Sequence, residues 1–344
     1  MSKLKKYAGY GLQIIVFIGI LVLTGCNAQD KQNMTEEGKE KKIICSTYLQ
    51  YDWVKNIIGE DNKQFSVSLL LEDGGDLHNF QPTAADMVRI SDCDLFITVG
   101  GESDAWVDDA TKDSMNQNQK TLKLMELMKE KLKEEEHVEG MEEEHEHEKE
   151  EHANGKDEAH EHEEETEYDE HVWLSLSNAQ IMVEEIAEVI ATMDTDHAKQ
   201  YLDNAKSYCE QLADLEQRYQ EAVDKADKKV LVFGARFPFR YLVEDYGITY
   251  YAAFPGCSAE TEASFETVAF LSEKIKEYQL SSVLVLENSD QKVADAIIAN
   301  TDTKDQKVLV MNSLQSVKKE EIENGITYMG TMEKNLEVLK QALQ

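Results

Sequence analysis

Basic residues are scarce in this chain. It has 35 Lys and Arg against 69 Asp and Glu in 344 residues, which leaves a formal net charge of −34 at pH 7. A nucleic-acid-binding protein needs a basic face for the phosphates, so this balance argues against a nucleic-acid partner. Much of the negative charge lies in residues 130–170, and the remainder of the chain is only moderately acidic.

The chain also lacks the short motifs of common hydrolases. Its acidic tract contains several His-Glu pairs, but none is followed by a second His at the spacing that His-Glu-x-x-His requires. There is no Gly-x-Ser-x-Gly elbow and no phosphate-binding glycine loop, since Gly100-Gly101-Glu102-Ser103 fits neither template. These absences argue against an enzyme, and an exported zinc hydrolase is the least favoured alternative.

Cysteine is sparse and unpaired in sequence. None of the five cysteines lies in a Cys-x-x-Cys pair. The four that follow Cys26, namely Cys45, Cys93, Cys209 and Cys257, fit either a disulfide in an exported protein or small buried hydrophobes.

The N-terminus has an apolar run that is too short to span a membrane. Lysines precede the run, which covers residues 12–23, whereas a transmembrane helix needs about 20 apolar residues. Leu23-Thr24-Gly25-Cys26 then resembles a bacterial lipobox, whose cysteine carries lipid. We therefore expect a lipoprotein anchored through Cys26 to the extracytoplasmic face of the cell membrane.

From residue 42 onwards, short apolar runs alternate with amphipathic stretches. This order predicts an α/β protein with parallel sheets. Residues 194–226 form a continuous helical pattern without Gly or Pro, about 45 Å long, which is best explained as a bridge. The fold class is thus two doubly wound parallel-sheet domains joined by one long rigid helix, with a ligand cleft between them. The predicted boundaries are a signal peptide at 1–26, a tether at 27–41, an N-terminal lobe at 42–193, the bridging helix at 194–228 and a C-terminal lobe at 229–344.

An acidic tract rich in histidine interrupts the first lobe at about residues 130–168. Its Glu-rich composition includes almost no apolar side chains that could be buried, which predicts a disordered loop. Imidazole is a common metal ligand, which favours weak metal capture over a purely solvated linker. The histidines concerned are His137, His145, His147, His152, His160 and His162.

Two further histidines lie on loops where open α/β sheets present their ligand groups. His78 follows an apolar run, and His171 precedes a predicted helix. Each has an acidic neighbour, Asp76 and Asp169, which would orient the ring rather than bind metal. We expect both histidines to ligate one shared metal ion.

The segments around these histidines resemble the zinc- and manganese-importing ABC transporter solute-binding proteins. Gly-Asp-Leu-His78-Asn-Phe-Gln-Pro-Thr and Asp-Glu-His171-Val-Trp-Leu-Ser match that family's Asp-Pro-His-x-Phe-x-Pro-Thr and Asp-Pro-His-x-Trp-Leu-Asp segments, with departures. The His/Glu-rich tract is typical of the zinc-specific, ZnuA-like branch. The resemblance implies two bridged α/β domains, Zn²⁺ as transported ligand, and delivery to an ABC permease with its ATPase. A monomer is expected.

The resemblance does not supply a complete ligand set. Aligning the chain with the family places Arg236 where a third ligand is usual, and Arg has no free lone pair. Asn312 stands at the position of a fourth ligand and is a weak carbonyl donor. Glu287 faces the same cleft but could equally pair with Arg236.

Other acidic side chains remain candidates for completing the shell. Glu102 follows a strand on the His78 side, although the helix dipole alone would favour a Glu there. From the second lobe the best candidate is Glu262, with Glu260 and Cys257 behind it. Two imidazoles plus a carboxylate suit Zn²⁺. A Mn²⁺-selective binding protein and a metal-binding adhesin remain alternatives.

Overall fold

The computed structural model describes residues 40–72, 74–142, 167–257 and 262–344. In this part of the chain, no helix combines the length and the apolar character needed to cross a membrane. Several predicted residues lie outside the described ranges: Cys26, His145, His147, His152, His160, His162 and Glu260.

The first half of the described chain builds a four-stranded parallel sheet. Its strands are β1 (Lys41–Cys45), β2 (Phe65–Leu69), β3 (Leu95–Thr98) and β4 (Lys120–Lys123). They lie side by side in the order β2-β1-β3-β4. The accompanying helices are α1 (Tyr48–Ile58), α2 (Ala84–Asp92), α3 (Trp106–Thr111), α4 (Leu124–Leu127) and α5 (Leu176–Met193). Ile43, Leu95 and Phe96 are fully buried, as strands covered by helices on both faces require.

The second half repeats this plan. The strands are β5 (Val230–Arg236), β6 (Thr249–Phe254), β7 (Ser282–Leu286) and β8 (Lys307–Met311), in the parallel order β6-β5-β7-β8. The helices are α7 (Arg240–Tyr246), α8 (Phe265–Tyr278), α9 (Lys292–Asn300), α10 (Lys319–Glu323) and α11 (Tyr328–Ala342). The prediction of two parallel, doubly wound sheets is confirmed.

Both sheets have a switch point beside their first strand. The chain moves from β1 to β2 on one side and to β3 on the other, and β5 stands between β6 and β7 in the same way. Open α/β sheets bind ligands in the crevice at the carboxyl ends of such strands. The loops at the carboxyl ends of the strands are therefore the natural carriers of a site.

The long helix α6 spans Ala198–Asp224, somewhat shorter than the predicted 194–226. At 1.5 Å per residue it is about 40 Å long. It packs along α5 and α1 and also contacts α11 and α7, so it touches helices belonging to both sheets. Residues Lys41–Gln344 form one compact unit, and the lobe boundaries at 193/194 and 228/229 stay predictions.

Hydrogen bonds tie the second half of the chain to the segment that carries His171. The indole Nε1 of Trp173 donates to the Ser313 carbonyl at 2.9 Å, and the Tyr328 hydroxyl donates to the Trp173 carbonyl at 2.6 Å. The Tyr241 hydroxyl donates to the Asp169 carbonyl at 2.9 Å. All these groups are buried, so the hydrogen bonds hold the two sheets in a fixed relative position around His171.

The helix that follows His171 begins one residue before the first of two residues with capping-box spacing. Ser177 and Gln180 have capping-box spacing, yet α5 begins at Leu176, and the Ser175 hydroxyl accepts the Asn178 N–H at 3.2 Å. The four described cysteines are free, and Cys45, Cys93 and Cys209 are buried. For these three thiols, packing as small hydrophobes fits better than a disulfide.

Candidate metal centre

His78 lies on the loop that leaves β2. It occupies a short 3₁₀ turn, Leu77–Asn79, whose first backbone N–H groups need an acceptor. The Asp76 carboxylate supplies it and accepts the His78 N–H at 3.1 Å. The side chain of His78 is 8% exposed, so its ring is held at the edge of the protein interior.

His171 is completely buried, and its ring orientation is fixed by Asp169. One carboxylate oxygen of Asp169 accepts both the His171 backbone N–H at 2.8 Å and the ring Nδ1–H at 2.9 Å. This is the arrangement by which a carboxylate sets the tautomer of a metal-binding histidine. With Nδ1 occupied, Nε2 is the nitrogen left to bind, and it faces Nε2 of His78 at 3.3 Å.

Ser103 and Glu170 hold the other nitrogen of His78. The Ser103 hydroxyl lies 2.8 Å from His78 Nδ1, and Glu170 Oε2 lies 3.5 Å from the same atom. The Ser103 backbone N–H donates to Glu170 Oε1 at 2.8 Å. Gly101 makes room for this carboxylate, because a Cβ there would lie 2.5 Å from Glu170 Oε1. Burial raises the pKa of Glu170 to about 7.

The two facing Nε2 atoms form a poor pair without a shared cation. If both Nδ1 atoms carry hydrogen, two imidazole lone pairs point at each other across 3.3 Å. Burial and then the charge of His171 lower the pKa of His78 to about 3. Burial opposes protonation of His171 too, but the Asp169 carboxylate raises the His171 pKa above its ordinary value. Without a metal, His171 is thus the ring of the two that is more readily protonated. A bound cation would supply the positive charge between the rings instead.

Two side chains from the second half of the chain approach this pair. Cys257, on the loop after β6, groups with His78 and His171 so that one ligand atom of each lies within 4.8 Å of the other two. Gln315, on the segment after β8, is buried and places Oε1 at 3.2 Å from His171 Nε2. Nitrogen, sulfur and carbonyl oxygen donors therefore meet where both sheets end.

The predicted acidic ligands are not part of this group. Glu102 is exposed and lines a cavity next to His78, but its carboxylate is outside the group of potential ligand atoms among the described residues. Glu262 is also exposed and outside the group; its charge acts on Lys292. Both residues follow strands as expected, but their carboxylates do not join the two histidines in this group.

The family's usual third and fourth ligand positions have other roles here. Arg236 ends β5 and forms an ion pair with Asp76, with both side chains largely buried. Asn312 Oδ1 accepts the Leu314 N–H at 2.8 Å and so shapes the turn before Gln315. Glu287 accepts hydrogen bonds from Ser313 N–H and Oγ, and burial raises its pKa.

An acidic cavity of about 370 Å³ opens next to His78. It is lined by His78, Glu102, Ser103, Glu135, His137, Glu167, Tyr168, Glu170, Pro255 and Cys257. A bridge between Glu134 and Tyr168 joins the flanks of the acidic tract, and Glu135 N–H donates to the Glu167 carbonyl at 2.9 Å. Part of the predicted loop, residues 130–142 and 167–168, therefore has defined structure beside the site. Four carboxylates there give the cavity a negative potential that attracts cations.

Sequence reasoning did not single out Glu170, Ser103 or Gln315. Gln315 follows the last strand, β8, so the rule that sites form at carboxyl ends of strands points to that segment. Glu170 stands between Asp169 and His171, and only the fold shows that it turns towards His78 rather than His171.

The chain matches the model of the family described as "Zinc-uptake complex component A periplasmic" over residues 43–342. It is 32% identical over 343 residues to the high-affinity zinc uptake system protein ZnuA of Bacillus subtilis, covering 98% of each chain. It is 29% identical to the zinc-binding protein AdcA of Streptococcus pyogenes, covering 91% of this chain but only 57% of that protein.

A solved structure has the same fold. The Zn(II)-bound ZnuA-like domain of Streptococcus pneumoniae AdcA superposes with a TM-score of 0.66 at 26% identity, covering 89% of this chain and 99% of that one. Since the family model covers nearly the whole described fold and both histidine loops, the chain belongs to the ZnuA family of zinc-uptake components.

Proposed function

We propose that this protein captures Zn²⁺ between His78 and His171 on the extracytoplasmic side of the membrane and delivers it to the permease of an ABC importer. The facing Nε2 atoms, 3.3 Å apart, carry the proposal. Zn–N distances of about 2.0–2.1 Å and a tetrahedral angle require an N···N separation of about 3.3–3.4 Å. The distance between the two nitrogens therefore already matches the one that the ion requires.

The donor set favours zinc over manganese. Imidazole nitrogen suits Zn²⁺, whereas sites for Mn²⁺ are richer in carboxylate and carbonyl oxygen. Both rings are oriented in advance by Asp169, Ser103 and Glu170, so little ordering cost is left at the moment of binding. The ZnuA and AdcA relatives are named for zinc uptake and zinc binding, which agrees with this choice. Manganese selectivity and adhesion stay predictions.

The protein is a solute-binding receptor rather than an enzyme, so its mechanism is capture and release. The acidic cavity concentrates divalent cations next to His78, and the ion then passes to the two Nε2 atoms. Hydrogen bonds that tie the His171 segment to the second sheet favour small local movements over wide closure. Anchoring through lipid on Cys26 would keep the receptor near the permease.

Zinc uptake by cells tests this proposal. The full chain is expressed with the permease and ATPase of its importer, either as wild type or as His171→Ala. Wild type should support uptake from low external zinc, and the variant should lose it. His197→Ala is the matched control, because His197 is partly exposed and pairs with Asp194 on the surface. Equal uptake with His171→Ala and wild type would overturn the proposal.

A further inference from the structure

Cys257 lies three residues after β6, on a loop that comes close to His171. Gly256 makes this approach possible: a Cβ at that position would lie 2.8 Å from the Phe237 carbonyl oxygen and 3.4 Å from His171 Cε1. The Cys257 N–H donates to Glu135 Oε1 at 2.8 Å, which fixes the loop on its other side. The backbone that carries the thiol is thus positioned by two contacts that involve no metal.

In the related metal-binding proteins, the second half of the chain usually supplies a third ligand. Arg236 stands at that position in this chain. Arg236 pairs with Asp76 and cannot ligate, because a guanidinium has no free lone pair. Within the described ranges, Cys257 is the one Cys, Asp, Glu or His that groups with both His78 and His171. A ligand from the second half of the chain is therefore available on the loop after β6 rather than at the end of β5.

We infer that the Cys257 thiolate is the third protein ligand of the cation, giving a site of two imidazoles and one sulfur; this inference rests on the proposed function. Tetrahedral geometry with Zn–S of about 2.3 Å requires an N···S separation of about 3.5 Å. The sulfur already lies within 4.8 Å of one ring nitrogen of each histidine, so a side-chain rotation or a small loop shift closes the shell. Gln315 Oε1 or water occupies the fourth position.

Binding at this site exchanges a proton for the cation. The thiol S–H bond breaks, the sulfur lone pair bonds to the metal, and the proton leaves to solvent through the acidic cavity. No oxidation state changes. A thiolate selects borderline and soft cations, so the site takes Zn²⁺, Cd²⁺ and Co²⁺ and discriminates against Mn²⁺.

Cobalt(II) spectroscopy tests the ligand directly. Half an equivalent of Co²⁺ is added to the full chain, purified in detergent with its thiols reduced, so that the tight site fills first. Visible d–d bands of four-coordinate Co²⁺ report occupancy, and a near-ultraviolet sulfur-to-cobalt charge-transfer band reports a thiolate ligand. The variants are Cys257→Ser, Cys257→His and the control Cys209→Ser, which changes a buried thiol on α6.

We expect both sets of bands in wild type and in Cys209→Ser. Cys257→Ser should lose the charge-transfer band and bind Zn²⁺ at least about 100-fold more weakly, whereas Cys257→His should recover most of the affinity without that band. Wild-type d–d bands without charge transfer would overturn this inference and leave the proposed function intact. Bands that persist unchanged in His78→Ala and His171→Ala would instead contradict the proposed function.

Discussion

Asp169 and Glu170 are neighbours in the chain, yet each carboxylate serves a different histidine. Asp169 accepts Nδ1–H of His171 at 2.9 Å, and Glu170 Oε2 lies 3.5 Å from Nδ1 of His78. One dipeptide thus orients two rings. Both Nε2 atoms consequently face each other at 3.3 Å.

Replacing Glu170 should weaken zinc binding without abolishing it. In Glu170→Gln, the amide can no longer serve as a charged acceptor near His78 Nδ1, so the ring is held less well. Loss of such an orienting partner typically costs 10–100-fold in metal affinity, and we expect a decrease in about that range. Competition with a zinc chelator measures it. Glu167→Gln, at an exposed residue of the same cavity, is the control, and an unchanged affinity for Glu170→Gln would refute the role.

The ion pair between Arg236 and Asp76 should contribute to stability. Their side chains are 12% and 23% exposed, so Arg236→Met leaves a largely buried carboxylate without this partner. We expect the free energy of unfolding to fall by about 1–3 kcal/mol, as measured by chemical denaturation. Arg218→Met is the control, because the Arg218–Glu333 pair is 41% and 47% exposed and should change the free energy of unfolding by less than about 1 kcal/mol. If both substitutions lowered the free energy of unfolding equally, the buried ion pair would contribute no more to stability than the exposed one.

The raised pKa of Asp52 should make the protein less stable as pH rises. Burial raises the pKa of its carboxyl to about 6, although the Tyr328 N–H donates to it at 3.0 Å. The folded state therefore binds this proton more tightly than the unfolded state. The resulting stabilisation is complete below about pH 4 and is lost as pH rises through 6, by about 2–3 kcal/mol.

Denaturation of wild type and Asp52→Asn at several pH values isolates this contribution. The amide keeps an acceptor for the Tyr328 N–H but does not titrate. Between pH 4.5 and 7, the free energy of unfolding should fall more in wild type than in the variant. Parallel pH profiles for the two proteins would mean that the Asp52 pKa is not raised.

The acidic tract should bind zinc separately from the tight site. Replacing residues 143–166 with a Gly-Ser linker removes five of its histidines and keeps the described flanks that meet at the Glu134–Tyr168 bridge. We expect isothermal titration to show one tight equivalent in both proteins, with the additional weak equivalents missing from the deletion. Loss of the tight equivalent would show that the tract completes the central site.

Most of the fold was predictable because it is encoded locally. Strand β8, Lys307–Met311, coincides with a short apolar run of the sequence, and the long helix agrees with its predicted range within a few residues. Such patterns report which face of a segment is buried. The segment before α5 was harder, since Ser175 and Ser177 are both plausible caps and tertiary packing selects Ser175.

The site was predictable only in part, because its donors come from loops far apart in sequence. His78 and His171 could be identified from their residue types and their places between strands and helices. The proximity of Cys257 depends on Gly256 passing close to His171, and that of Gln315 on the turn built by Asn312. Glu262 and Cys257 lie on the same loop, and sequence alone gave no reason to prefer the sulfur.

A zinc titration of wild type, His78→Ala, His171→Ala and the control His197→Ala tests the central claim most directly. A competing chelator sets the free Zn²⁺ concentration, and Mn²⁺ is titrated in parallel. The facing Nε2 atoms predict one tight Zn²⁺ equivalent in wild type and His197→Ala that is missing from both other variants, with weaker equivalents retained. Unchanged tight zinc binding in His78→Ala and His171→Ala would contradict the account.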